Sequence, residues 1–222
     1  MTVSVLGISG SPHRHGNTET LLDSFLDGAK SAGATIEKVI LKDLHYSPCR
    51  GCNACHKTGE CVVQDDAIVL FGKVLSADCL AIASPIYTMG ITAELKGFID
   101  RGQYLWARKF ILKTLYFSDE HIRRHKGLFV STAGQNWDHV FDGAFPAVTA
   151  IFNGTGFEYY DNIIANNMDM YKGIRNHPTA LKEAFGKGEK VVSIIGKLNA
   201  AAVPSPAREK SEVIEGRDQH PE

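Results

Sequence analysis

The stretch VSVLGISGSPHRHGNT, residues 3–18, decides the fold. Val3–Ser9 is a short apolar run rich in β-branched residues and bounded by Gly, Ser and Pro, the pattern of a strand covered on both faces. A polar loop, GSPHRHGN, follows it. The next residues place Leu21, Leu22, Phe25, Leu26 and Ala29 at helical spacing, and the pattern stops at Gly33, a helix C-terminal signal. Strand, polar turn and amphipathic helix in direct succession open an α/β fold.

The alternation repeats down the chain. TIEKVILKDL (35–44) reads as strand two. AIVLFGKVLSA (67–77) is a helix that Asp65 or Asp66 can cap. DCLAIASPIY (78–87) is strand three and TAELKGFIDRG (92–102) a helix. Residues 102–125 form a longer, partly helical insertion. KGLFVSTAG (126–134) is strand four. WDHVFDGAFPAVTAIFNGTG (137–156) is a helical pattern that Pro146 should kink or shorten. FEYYDNIIAN (157–166) is strand five, and a last helix, entered through Pro178, runs from 177 to 201. Five strands with one helix each predict an α/β, flavodoxin-like three-layer sandwich, its parallel sheet ordered 2-1-3-4-5. The expected organisation is one domain over 1–200, with a cysteine-rich loop at 47–64, the insertion at 102–125, and a loose tail at 201–222 rich in Pro, Ser and charge.

The totals agree with such a domain. The chain has 222 residues, 44% hydrophobic and 22% charged, and a formal net charge of -1. That balance gives no electrostatic footprint for nucleic acid or an anionic membrane. No apolar run is long enough to span a bilayer, and no signal peptide is legible, so a cytoplasmic location is expected. In a reducing compartment the five cysteines are better explained as metal ligands or redox groups than as disulfides.

In an open parallel sheet, ligands sit beyond the carboxyl ends of the strands at the switch point. That rule selects the loops after strands one, three and four. The first offers Ser9, Ser11, Asn17 and Thr18 with free backbone N–H groups near Gly10 and Gly16, an anion site at a helix N-terminus. His13, Arg14 and His15 can add charge. Neither a G-x-x-x-x-G-K-[ST] nor a G-x-G-x-x-G pattern is present, so a single phosphate monoester fits better than a nucleotide pyrophosphate. The bland alternative is that Ser and Asn only cap the helix. The loop after strand three presents Pro85, Ile86 and Tyr87, a ledge for a flat heterocycle. The loop after strand four presents Ser131, Thr132, Gly134 and Trp137. Together they ask for a phosphate at one end and a flat ring at the other.

The segments GSPHRHGNT and SPIYTMGITAELKGFIDR, with the five-strand order, resemble the NADPH-dependent FMN reductase branch of the flavodoxin-like superfamily over residues 3–198. The resemblance implies FMN. It implies that Ser9, Ser11, His13, Asn17 and Thr18 hold the phosphate. Pro85, Ile86, Tyr87, Met89 and Gly90 would lie beside the isoalloxazine, and Ser131, Thr132, Ala133 and Gly134 near its far edge. Relatives often carry Arg directly after Ser-Pro; here His13 takes that place, which shifts weight from side-chain to backbone pairing. A homodimer or homotetramer is implied, with QYLWARKFILKTLYF (103–117) as interface or as an ordinary covering arm.

Cys49, Cys52, Cys55 and Cys61 have the spacing C-x2-C-x2-C-x5-C. Successive x2 steps and a more distant fourth thiol suit one [4Fe–4S] cluster. The spacing closely resembles the compact motif of iron–sulfur flavoproteins, of the same superfamily. A four-cysteine zinc site, a C-x-x-C redox pair and a cluster-free reductase stay open as readings. Cys79, inside strand three, reads as a small buried hydrophobe. His121 and His125 read as a solvated helix face rather than a zinc site. No Ser–His–Asp order or paired acid/base signature appears, so no side chain is assigned as catalytic. The expected function is an FMN-dependent oxidoreductase passing electrons from NAD(P)H or ferredoxin to an acceptor. The alternatives are a cluster-free FMN or quinone reductase, and a flavin- or metal-binding module without turnover.

Overall fold

The computed structural model describes residues 2–201; all of the expected tail but Ala201 lies outside the described residues. In chain order the elements are β1 (Ser4–Ser9), α1 (Asn17–Ser31), β2 (Thr35–Ile40), α2 (Cys55–Thr58), α3 (Asp66–Ser76), β3 (Cys79–Pro85), α4 (Ala93–Arg101), α5 (Gln103–Trp106), α6 (Asp119–Arg124), β4 (Lys126–Thr132), α7 (Phe145–Thr155), β5 (Glu158–Ala165), α8 (Met168–Tyr171) and α9 (Ala180–Ala201). The five strands form one sheet, all parallel, in the order β2-β1-β3-β4-β5.

Alternation along each strand divides the core in two. Cys79, Ala81 and Ala83 of β3, with Leu128 and Val130 of β4, face α1 and α9. Leu80, Ile82 and Phe129 face the opposite way, against α3, α4 and α7. Cys79 is fully buried, and burial drives its thiol pKa well up, so it behaves as the small hydrophobe its position predicts. On the second face Phe71 stacks on Phe98 at 4.5 Å between ring centres, a geometry worth about 0.5–1.5 kcal/mol beyond burial.

Two helix starts differ from the sequence reading. The pattern over 137–156 becomes helical only at Phe145, and Pro146 lies in its first turn, where a missing N–H costs nothing. The proline thus stands at the start of a shortened helix, the second of the two expected outcomes, instead of kinking it. Likewise α9 begins after Pro178, with His177 Nδ1 accepting the N–H groups of Thr179 and Ala180 at 3.3 and 3.1 Å. The insertion is partly helical: α5 runs into a π-helical turn, Ala107–Ile111, and α6 follows. Trp106, Phe110, Ile111 and Tyr116 along it are exposed.

The pair expected on a solvated face is instead a stack. The His121 and His125 rings lie 3.7 Å apart at 15°, and Phe117 covers His121 from the other side. Burial, then the His125 and Arg124 charges, lowers the His121 pKa to about 4. Between about pH 6.5 and 4 the unfolded chain therefore binds a proton at this site that the folded chain refuses. Stability falls as pH drops through that window. His121→Gln should flatten this part of the stability–pH curve, measured by urea unfolding at stepped pH; an unchanged slope would contradict the assignment.

Helices α1 and α9 touch backbone to backbone. A Cβ on Gly28 would lie 2.0 Å from Phe185 O, and one on Gly188 2.1 Å from Phe25 O. Alanine gains about 1 kcal/mol over glycine in a helix, but overpacking costs about 1–3 kcal/mol. A carbonyl in a packed helix cannot yield, so Gly28→Ala should destabilise by about 1–2 kcal/mol net. Gly72 in α3 has nothing within 4 Å of the added atom, and Gly72→Ala should stabilise by up to about 1 kcal/mol. Urea midpoints for the two variants should move in opposite directions.

Candidate functional site

Parallel strands deliver their carboxyl ends to one edge, and there the chain is polar. Ser9, Ser84, Thr92, Ser131 and Thr132 are all buried. Their hydroxyls are satisfied internally. Ser131 Oγ donates to Ser84 O at 2.6 Å, Ser84 Oγ accepts the Thr92 N–H at 3.0 Å, and Thr92 Oγ1 donates to Gly10 O at 2.6 Å. Thr18 and Thr132 share a hydrogen bond of 2.6 Å. Such a network makes a rigid, fully paired floor.

Above it lies a cavity of about 380 Å³ lined by Ser11, His13, Asn17, Thr18, Pro85, Ile86, Tyr87, Thr132, Ala133 and Gly134 among others. Ten of the residues singled out in the sequence therefore meet, drawn from all three expected loops. Ser9 and Ser131 lie beneath the cavity instead of on its wall: Ser9 Oγ accepts the Ser11 N–H at 3.4 Å. Helix α1 opens at Gly16 with no side-chain cap. No side chain caps its first turn, so Ser and Asn do not serve as the helix caps of the bland reading. Asn17 Oδ1 instead accepts the Ile174 N–H at 3.0 Å, anchoring the loop after α8.

The charges around this turn point away from it. Arg14 pairs with Asp43 and, at 3.9 Å, with Glu19. Glu19 is 1% exposed, accepts the His15 N–H at 2.7 Å and pairs with Lys38 at 2.9 Å. Burial alone would raise its pKa; the Lys38 ammonium and the His15 amide outweigh that and hold it below the usual carboxylate range. A neutralised Glu19 leaves the helix N-terminus attractive to an anion.

After β3, Tyr87 and Gly90 exchange backbone hydrogen bonds of 2.9 and 3.0 Å around Thr88 and Met89, both in the left-handed region. Tyr87 and Met89 are exposed at this tip. Met89 and Gly90 stand outside the cavity wall. A Cβ on Gly143 would lie 2.0 Å from Met89 O, so the turn rests directly on the backbone before α7. Gly16, beside which free amides were expected, lines the cavity too; two lining residues were missed in the sequence, Met168 and Asp169. The Asp169 carboxylate lies over Gly134 and accepts from Gln135 Nε2 at 2.8 Å. Nothing local marked α8, which is only four residues long.

The cysteine loop follows β2. Cys49, Cys52, Cys55 and Cys61 all line one small cavity with Arg101 and Tyr104. Cys55 is buried, Cys61 half-buried, and Cys49 and Cys52 are exposed. Burial raises the Cys55 pKa, and the other three thiols are near enough to add to it. Among the described residues no three His, Cys, Asp or Glu side chains converge as a single ion requires. Four thiols lining one cavity supply the donor set that a four-thiolate centre needs. Residues 103–112 back the loop: Trp106 lies 6.0 Å from the His56 ring, and Gly59 packs on Arg108 and Leu112.

An iron-sulfur flavoprotein of Archaeoglobus fulgidus is 38% identical over 99 residues, 45% of each chain. Matches of this kind span about half the length of the curated relatives. Among solved structures, a flavone reductase superposes with a TM-score of 0.62 at 19% identity, covering 90% of this chain and 65% of that one. An FMN-dependent NADH-azoreductase from Bacillus anthracis, in complex with FMN, gives 0.56 at 19% identity over 86% and 98%. These two establish likeness of fold. The family model described as NADPH-dependent FMN reductase matches residues 3–138, and the chain belongs to that family.

Proposed function

We propose that this protein is an FMN-dependent oxidoreductase of the iron–sulfur flavoprotein kind, moving electrons between a reduced donor, NAD(P)H or ferredoxin, and an acceptor. The observation that carries the reading is the meeting of three loops in one cavity, with the uncapped start of α1 on one wall and Pro85, Ile86 and Tyr87 on another. The family match supports FMN, and the relatives named iron-sulfur flavoprotein support a [4Fe–4S] centre on Cys49, Cys52, Cys55 and Cys61. FMN supplies two-electron uptake and one-electron release, matched to a cluster that carries single electrons.

The chain's own part is binding and orientation. The N–H groups of Asn17 and Thr18 receive the phosphate, and the neutralised Glu19 keeps that end free of repulsion. Pro85, Ile86 and Tyr87 back a flat ring. Thr132, Ala133 and Gly134 border its polar edge, with the Asp169 carboxylate seated over Gly134. The four thiolates hold the cluster. No side chain is assigned a proton-transfer role. A cytoplasmic homo-oligomer completes the reading. Among the described residues, no helix is long and apolar enough to cross a membrane.

Protein purified without oxygen should show resolved flavin bands over a broad brown absorbance, with matching iron and sulfide. Bleaching by NADH or NADPH would identify the donor class. Cys52→Ala should lose the iron and keep the flavin; loss of both would mean that the two sites are one. Gly143→Ala, which pushes on Met89 O, should weaken FMN binding by about tenfold, or 1.4 kcal/mol, without changing iron content. Fluorescence titration checks the first, and unchanged FMN affinity would remove the 87–90 turn from the site.

A further inference from the structure

Arg101 ends α4 and is 2% exposed. Its guanidinium lies across the base of the cysteine loop. Nη1 donates to Ser47 O at 2.9 Å and to Asp65 Oδ2 at 2.5 Å. Nη2 donates to Val63 O at 2.7 Å and to Cys61 Sγ at 3.5 Å. Ser47 and Val63 bracket the loop, so one side chain closes both of its ends. Burial opposes the Asp65 charge, but Arg101, with the Ser47 and Ala67 amides, holds that carboxyl below its usual range. The guanidinium charge is thereby offset. Its Nε is not: it is buried with no hydrogen-bond partner in the described protein, although Arg101 lines the same cavity as the four thiols.

A buried donor without an acceptor costs about 1–3 kcal/mol. Here it belongs to a side chain that lines one cavity with the four thiols and already contacts Cys61 Sγ. Hydrogen bonds to sulfur are among the features that set a cluster's potential, since they favour the more negative, reduced state. We propose that Arg101 is the positioning residue of the centre held by Cys49, Cys52, Cys55 and Cys61, closing its loop and donating N–H groups to its sulfur atoms. This rests on reading the loop as a cluster site. Lysine does not substitute for it, because a single ammonium lacks the planar fork that reaches Ser47, Val63 and Cys61 together.

The test uses the full chain, reconstituted anaerobically with iron and sulfide, as parent, Arg101→Lys, and the double variant Arg101→Met/Asp65→Asn. The double variant removes the charge pair as a unit, so no lone, partly buried carboxylate remains to destabilise the chain. Circular dichroism and urea midpoints report folding. Bound iron and sulfide, the rate of iron loss to a chelator, and the cluster midpoint potential from a titration followed by electron paramagnetic resonance report the site. Both variants keep the local net charge, so the expected shift of the potential to more negative values isolates the lost N–H donors. Iron should leave about 10–100-fold faster. A potential equal to the parent's in either loaded variant, even with lowered stability, would reduce Arg101 to a loop clamp and overturn the proposal. A folded parent that takes up neither iron nor sulfide would overturn the cluster reading and this inference with it. A loaded parent with unshifted variants overturns the inference alone.

Discussion

The buried hydroxyl of Thr92 donates to Gly10 O at 2.6 Å and accepts the Leu95 N–H at 3.3 Å. One side chain thus ties the loop leaving β1 to the start of α4. The tie works because β1 and β3 run parallel, with Ser9 beside Ala83, so both loops leave the same edge of the sheet. It also needs Gly10: a Cβ there would sit 2.7 Å from Leu95 Cβ. Remove the approach, and the first loop and the ring-side turn lose their common reference.

Helix α4 carries that reference outward. It starts at the hydroxyl floor and ends at Arg101 under the cysteine loop, about 14 Å away at 1.5 Å per residue. Tyr46, before the cysteines, donates to Glu94 O at 2.6 Å and meets Phe98 edge-on. The two candidate sites are therefore joined through one short rigid element and its aromatic packing. The same helix shares the second core face with Phe71. Packing in the core and the relative placement of the sites are a single problem in this fold.

Much of this was legible in the sequence, for physical reasons. Strands covered on both faces read as apolar runs, so β1, β3 and β4 stood out, and the parallel order followed from the alternation with helices. The thiol spacing is local, and a local pattern survives without knowledge of the fold. What escaped depends on partners far away in the chain. Asp169 reaches the cavity only because Met168 N–H bonds to Ala133 O at 3.1 Å across the sheet edge. Ser9 and Ser131 carry the right chemistry, but the close approach of β1, β3 and β4 buries them. Arg101 was not singled out, because its partners Ser47, Val63 and Asp65 lie far earlier in the chain. The His121 stack escaped notice because its cover, Phe117, lies on an irregular segment with no period to reveal it.

The turn at 87–90 bears on how the site resists deformation. Two-residue turns of this hand are normally built from glycine or asparagine, yet Thr88 and Met89 hold φ of 47° and 61°. Each non-glycine residue there stores about 1–3 kcal/mol of backbone strain. Glycines would relieve that cost while widening the torsional freedom of the tip. By keeping side chains in an unfavourable conformation, the protein gives up stability for a stiff lip, and a planar guest would meet an edge already set at its final height.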